Sequence, residues 1–185
     1  MGSTQLPPTM ANTIVLVGDS TLDNVVWVGS YENCIKFKLE SMNPNYRVVN
    51  YAADGFTSSE VIGGGHPDIS WSHRKSKDPY PTESAVKFCP LDWVNKLGQV
   101  DYIVLSVGGN DLRQILSSHE QIIKATESFI KNYHSICDQL TKKCKKVILM
   151  MQYRPSYLQK AYNIYQSLEK LPGEGKPEEK MNRLM

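Results

Sequence analysis

A short apolar run near the start of the chain ends abruptly at a polar turn, and this break constrains the fold most. The run from Ile14 to Val17 is rich in β-branched residues and is followed directly by Gly18, Asp19 and Ser20. Such a run predicts a buried parallel strand. In an open α/β sheet, ligands bind at the carboxyl ends of the strands. On this stretch alone, Ser20 is either a nucleophile or an ordinary turn residue.

The rest of the chain alternates between strand and helix patterns. Strands are predicted at 13–17, 47–51, 102–107 and 147–153. Helices are predicted at 31–42, from 58, at 90–98, at 119–140, from 155 and from 177. This alternation predicts an α/β fold whose parallel sheet is built with right-handed crossovers.

The length of 185 residues is that of one domain. Residues 1–12 hold Pro7 and Pro8 among polar residues and are predicted to form a flexible N-terminal arm. Residues 13–185 are predicted to form a single domain. The stretch 63–90 has little periodicity, and a loop of that length in a compact domain is usually functional or mobile.

Charge and composition exclude several classes of protein. The 21 basic and 19 acidic residues nearly balance, which argues against a nucleic-acid or membrane surface driven by charge. No apolar run approaches the roughly 20 residues of a membrane span, and the N-terminus shows no secretory signal. The four cysteines form no C-x-x-C pair, so a zinc site is not expected. No other metal and no cofactor are predicted. Together these features predict a cytoplasmic protein, and the oligomeric state stays open.

Three of the predicted strand ends carry groups suited to acyl transfer. Ser20 follows the first strand, Gly55 the second and Asn110 the third. An acyl-transfer site needs a nucleophile and hydrogen-bond donors aimed at the developing oxyanion. Ser20 supplies a hydroxyl, Gly55 a backbone N–H that a ligand can approach closely, and Asn110 a side-chain amide. Their convergence on one sheet edge favours Ser20 as a nucleophile over a turn serine.

The same strand ends resemble, in order and spacing, the first three sequence blocks of the SGNH/GDSL hydrolase family: Gly18-Asp19-Ser20, Asn50-Tyr51 with Gly55, and Gly108-Gly109-Asn110-Asp111. The resemblance covers residues 12–153. It implies a flavodoxin-like three-layer α/β/α fold with a five-stranded parallel sheet. It also implies a serine esterase or lipase-type activity on a small-molecule ester or thioester. Ser20 would be the nucleophile, and the N–H of Ser20, the N–H of Gly55 and the side chain of Asn110 would form the oxyanion hole.

The family's last block, an Asp-x-x-His that supplies the base and its orienting acid, is missing from this sequence. None of the four histidines has an aspartate three residues before it. We therefore expect a C-terminally incomplete domain that lacks a fifth strand and a closing helix. Such a domain would be unstable or prone to aggregation, because its last predicted strand would lie beside an uncovered sheet edge.

The missing block leaves alternatives open. His66 and His73, in the loop after the second strand, are either solvated loop histidines or a substitute base. Asp54 and Asp111 are expected to be structural acids that cap loops. Besides an active esterase, the sequence allows a catalytically inactive SGNH-fold binding domain without the His/Asp pair. It also allows a flavodoxin-like ligand-binding domain in which the three blocks are coincidental.

Overall fold

The computed structural model describes residues 12–66, 87–113 and 119–150. The predicted arm before residue 12, most of the 63–90 loop and the predicted helices from 155 and 177 lie outside the described residues. So does the part of the fourth predicted strand after residue 150.

Four parallel strands form the sheet, in the spatial order β2-β1-β3-β4. They are β1 Thr13–Gly18, β2 Arg47–Ala52, β3 Val100–Ser106 and β4 Cys144–Leu149. This order is that of a flavodoxin-like sheet, so the predicted fold class is confirmed. The first strand is central, since it pairs with β2 on one side and β3 on the other.

Five α-helices connect these strands in the described part of the chain. They are α1 Ile35–Met42, α2 Ser58–Gly63, α3 Pro90–Lys96, α4 Gly109–Arg113 and α5 His119–Leu140. The bounds of α5 are those predicted from its periodicity. The short helix α4 was not predicted, because five residues are too few to show a helical period.

Apolar side chains cover both faces of the sheet, which gives three layers. On one face, residues of β1 and β3 pack against α2, α3 and α5, as shown by Val61, Val94 and Ile136 in one buried cluster. On the other face, Leu16 of β1 and Val48 of β2 are buried, with α1 packed against them. Successive strand residues point to opposite faces, so a sheet covered on both sides needs the continuous apolar runs seen in the sequence.

The first predicted helix begins later than expected. The segment Tyr31–Asn33 is a single 3-10 turn, and Ser30 makes no side-chain cap bond. The α-helix begins at Ile35 after an extended residue, Cys34, whose sulfur accepts the backbone N–H of Phe37 at 3.5 Å. The predicted N-cap at Ser30 is therefore wrong, because the extended backbone at Cys34 interrupts the helical path.

The fourth strand begins three residues before its predicted start. The sequence analysis began it at Val147, but β4 starts at Cys144 and so includes Lys145 and Lys146. Lys145 forms an ion pair with Asp101 on the neighbouring strand β3. The start of the strand was not predicted because Lys145 and Lys146 interrupt the apolar pattern. A hydrophobic pattern carries no information about cross-strand pairs.

Candidate active site

The end of the central strand is built around Gly18. Its backbone has φ +134°, and a Cβ built on it would lie 1.7 Å from the carbonyl oxygen of Ser106. In the sheet register Gly18 lies between Ala52 of β2 and Ser106 of β3. Glycine is required here by both the dihedral angle and the close approach of β3. Ser20 therefore follows the central strand at the carboxyl edge of the sheet.

Asp19 shapes the turn that carries Ser20. Its backbone N–H donates to the carbonyl oxygen of Ser106 at 2.9 Å. Its buried carboxylate accepts the Thr21 N–H at 3.0 Å and the Ser106 hydroxyl at 3.3 Å. The Asp19 carbonyl accepts the N–H groups of Leu22 and Asp23. These hydrogen bonds fix the backbone before and after Ser20. The side chain of Ser20 is partly exposed.

The loop after β2 is tied to the same turn. The N–H of Ala53 donates to the carbonyl of Gly18 at 2.8 Å, and the N–H of Asp54 donates to the buried Asp23 carboxylate at 2.9 Å. Gly55 follows directly with φ +82° and is exposed, with open space where a Cβ would be. The backbone N–H of Gly55 thus belongs to a loop anchored to the turn that carries Ser20.

Asn110 lies in α4, just after β3, and contacts this loop. Its side-chain amide donates to the carbonyl of Phe56 at 3.0 Å. An asparagine amide has two N–H donors, so one remains for another acceptor. The predicted residues Gly55 and Asn110 are therefore brought together through Phe56, the residue after Gly55. Ser20 follows β1, which lies between β2, the strand before Gly55, and β3, the strand before Asn110.

Asp111, next to Asn110, is buried and contacts the start of α2. Its carboxylate accepts the N–H of Ser58 at 3.1 and 2.9 Å and also accepts the Ser58 hydroxyl. Asn132 of α5 donates to the hydroxyls of Ser58 and Ser59 at 3.1 and 3.0 Å. Asp111 has the loop-capping contacts predicted for it.

Sequence reasoning assigned no supporting role to two residues that hold these loops. Asp23 holds the N–H of Asp54, as described above, and Asn50 donates to the carbonyl of Leu22 at 3.3 Å. Asn50 also accepts the N–H of Ala52 at 2.9 Å. The sequence signal for Asn50 was a polar residue within an otherwise apolar strand. A buried amide needs hydrogen-bond partners, so such a residue indicates contacts to neighbouring loops.

No histidine side chain in the described part of the chain forms a hydrogen bond with Ser20. His66 and His134 are exposed, and neither is hydrogen-bonded to Ser20. His73 and the side chain of His119 lie outside the described part, and the substitute-base hypothesis for His66 or His73 stays a prediction.

Metal and membrane features were searched over the same described ranges. No group of three or more His, Cys, Asp or Glu side chains there is arranged to hold a metal ion. None of the helices in these ranges is long and apolar enough to cross a bilayer.

Behind the site, the sheet face that packs against α2 and α3 is apolar. Burial raises the pKa of Tyr51, whose ring lies 5.9 Å from that of Trp93. Burial also raises the pKa of the Cys89 thiol, which donates to the carbonyl of Ile62 at 3.0 Å. Both groups therefore stay neutral at neutral pH, and neither is suited to act as a nucleophile or base.

Comparison with known proteins gives matches only among solved structures. No family model matches the chain, and no curated protein matches it. Among solved structures, a mutant of the esterase AlinE4 is similar at 18% sequence identity and a TM-score of 0.48, covering 90% of this chain and 74% of that chain. A similarity this distant assigns neither a family nor an activity.

Proposed function

We propose that this protein is a serine hydrolase that cleaves carboxylic ester or thioester bonds, with Ser20 as its nucleophile. The observation that carries the proposal is the joining of three loops at one sheet edge. The loop of Gly55 is bonded to the turn of Ser20 through the Asp54–Asp23 hydrogen bond. It is bonded to α4 through the Asn110–Phe56 hydrogen bond.

The proposed oxyanion hole has three donors. The backbone N–H groups of Ser20 and Gly55 and the second amide N–H of Asn110 would stabilise the negative charge that develops on the carbonyl oxygen. Donors held by other hydrogen bonds need no reorganisation during the reaction, which is why such groups lower the barrier effectively. The rigid turn at Gly18 and the open space beside Gly55 support this assignment, since a substrate must approach the backbone closely.

The proposed reaction has two steps, acylation of Ser20 and deacylation by water. The oxygen of the Ser20 hydroxyl adds to the carbonyl carbon, its proton passes to a base, and the carbonyl electron pair moves onto the oxyanion. Collapse of this intermediate breaks the ester bond, the leaving oxygen takes the proton from the base and departs as the neutral alcohol, and the acyl group stays on Ser20. Water then adds to the acyl carbon and gives a proton to the base. Collapse of this second intermediate releases the acid and returns the proton to the Ser20 oxygen.

The base sets the rate of this chemistry. Because no described histidine is hydrogen-bonded to Ser20, we propose that the proton of Ser20 passes to solvent. Serine hydrolases that lose a triad member keep roughly 10³–10⁴-fold catalysis over water from the oxyanion hole and binding. A slow, Ser20-dependent activity in that range is the expected behaviour.

Reaction with a fluorophosphonate probe tests the proposal directly. Intact-mass and peptide analysis should locate slow phosphonylation at Ser20, and Ser20→Ala should abolish it. Ser128→Ala, which removes an exposed serine of α5, should leave the labelling rate unchanged. Hydrolysis of p-nitrophenyl acetate above the Ser20→Ala background should follow the same pattern.

Two results would change the assignment. Labelling of Ser20 no faster than that of Ser128 would overturn the proposed function. Rapid labelling of Ser20 would retain the function but overturn proton transfer to solvent, because it would require a base close to the hydroxyl.

A second function is favoured by the lack of a hydrogen bond between Ser20 and the described histidines. In this alternative the same donors bind a carbonyl or carboxylate oxygen without chemistry. Calorimetric titration with acetate would then show binding that survives Ser20→Ala, which keeps the backbone N–H, and is lost in Asn110→Ala.

A further inference from the structure

Two adjacent residues of α4 hold Phe56, in the loop that carries Gly55, and Ser58, at the start of α2. The Asn110 amide donates to the carbonyl of Phe56 at 3.0 Å. The Asp111 carboxylate accepts the N–H and the hydroxyl of Ser58. Asp111 is only 8% exposed, so it forms these bonds largely shielded from water. The two contacts join residues that are 54 and 53 positions apart in sequence.

The Ser58 N–H needs a partner from outside its own helix. Thr57 is the N-cap of α2, and the capping box uses Thr57 and Glu60 to satisfy each other's backbone N–H. The N–H of Ser58 is one of the first four of the helix and has no intrahelical acceptor. Asp111 therefore supplies from α4 the acceptor that α2 lacks.

The hydroxyl of Ser58 is oriented by its other neighbour. Asn132 offers its amide nitrogen to the Ser58 oxygen at 3.1 Å, and this nitrogen only donates. A serine hydroxyl has a single proton, so that proton is directed to the Asp111 carboxylate. The hydrogen bonds thus run in one direction, donated from Asn132 to Ser58 and from Ser58 to Asp111. The last acceptor is a buried carboxylate next to Asn110.

We propose that Asp111 is a positioning residue that holds the Asn110 amide at the distance from the Gly55 N–H that the oxyanion hole needs. This inference rests on the proposed function. Asp111 does not touch the substrate and acts through Asn110. Because oxyanion stabilisation occurs in the transition state, loss of this positioning lowers kcat and leaves KM nearly unchanged.

A pair of neighbouring serines provides a matched test. Ser58→Ala and Ser59→Ala each remove a hydroxyl that Asn132 contacts, but only the Ser58 hydroxyl bonds to Asp111. Asp111→Asn, similar in shape, should lower the kcat for p-nitrophenyl acetate about tenfold, a fraction of the effect of losing a whole oxyanion donor. Ser58→Ala should lower it by a smaller factor, and Ser59→Ala should leave it unchanged.

A double-mutant cycle separates positioning from general destabilisation. If Asp111 acts through Asn110, the Asn110→Ala/Asp111→Asn protein is no slower than Asn110→Ala alone. Multiplicative losses in the double mutant, or a wild-type kcat for Asp111→Asn, would overturn the inference while the proposed function stands.

An NMR measurement of the Asn110 side chain tests the inference even if the protein shows no hydrolase activity. The two side-chain amide protons of Asn110 should give separate, sharp signals that shift or broaden in Asp111→Asn and not in Ser59→Ala. Absence of Ser20-dependent chemistry with this change present would overturn the proposed function and retain the positioning of Asn110 by Asp111. Unchanged Asn110 signals in Asp111→Asn would overturn the positioning itself.

Discussion

Gly18 and Ser106 approach so closely that no side chain fits between them. A Cβ on Gly18 would lie 1.7 Å from the Ser106 carbonyl oxygen, and the same oxygen accepts the N–H of Asp19 at 2.9 Å. The chain therefore leaves β1 in close contact with the end of β3. The turn of Ser20 then lies at the sheet edge where the loop of Gly55 and the helix of Asn110 also begin.

Replacing this glycine should disrupt the fold. We expect Gly18→Ala to lower the free energy of unfolding by more than about 4 kcal/mol, since the new Cβ would force β1 and β3 apart. Gly55→Ala is the matched control, because it also has positive φ but open space around it, and it should cost about 1 kcal/mol. Urea denaturation measures both, and equal losses would contradict the role of the Ser106 contact.

Truncation of Asn110 should affect the reaction far more than the stability. Asn110→Ala is expected to slow phosphonylation of Ser20 about 10²-fold through the loss of one oxyanion donor. Loss of its bond to Phe56 should cost about 1 kcal/mol of stability. Asn33→Ala, which removes an exposed amide from the 3-10 turn, should leave the labelling rate unchanged. A labelling rate in Asn110→Ala equal to that of the wild type would remove Asn110 from the oxyanion hole.

The pair Asp101–Lys145 should make stability depend on pH. The hydrogen bond from Lys145, followed by the one from the Thr13 N–H, lowers the pKa of Asp101 below its ordinary value of 3.8. A carboxyl with a depressed folded pKa stabilises the protein above its unfolded pKa, and this contribution is lost as pH falls through the folded value. The Tm advantage of wild type over Asp101→Asn should therefore be constant near neutral pH and shrink below 3.8.

Lys145, the basic partner of Asp101, makes stability depend on pH at the alkaline end of the range. The hydrogen bond to Asp101 raises the pKa of Lys145, so its contribution is present below the unfolded pKa and is lost as pH rises through the raised value. Glu127→Gln, at an exposed acid of α5, serves as control and should change Tm little. A Tm difference between wild type and Asp101→Asn that does not vary with acidic pH would contradict the pairing.

The four free cysteines should react slowly in the folded protein. Cys34 and Cys144 are buried, and Cys89 and Cys137 are partly buried. Burial raises the pKa of the Cys89, Cys137 and Cys144 thiols, which lowers the fraction of reactive thiolate. A chromogenic disulfide reagent should therefore modify them slowly in buffer and rapidly in denaturant. Immediate release of four equivalents from the folded protein would contradict the described packing.

Local patterns in the sequence predicted much of the architecture. The apolar run before Gly18 and the periodicity of 119–140 depend on neighbouring residues alone, and both elements were found where expected. The start of β4 and the cap at Cys34 were missed. Lys145 becomes a strand residue through its pairing with β3, and Cys34 caps α1 because the backbone is extended there. Neither cause leaves a periodic signal.

The sequence by itself determined which groups follow the strand ends at the carboxyl edge, since parallel strands end at the same edge of a sheet and Ser20, Gly55 and Asn110 follow three of them. Only the tertiary structure decided how these loops are held. The bonds from Asp23 to Asp54, Asn110 to Phe56 and Asp111 to Ser58 join residues 31 to 54 positions apart. Such bonds form only after the chain has packed, because a buried polar group takes whatever partner the fold brings to it.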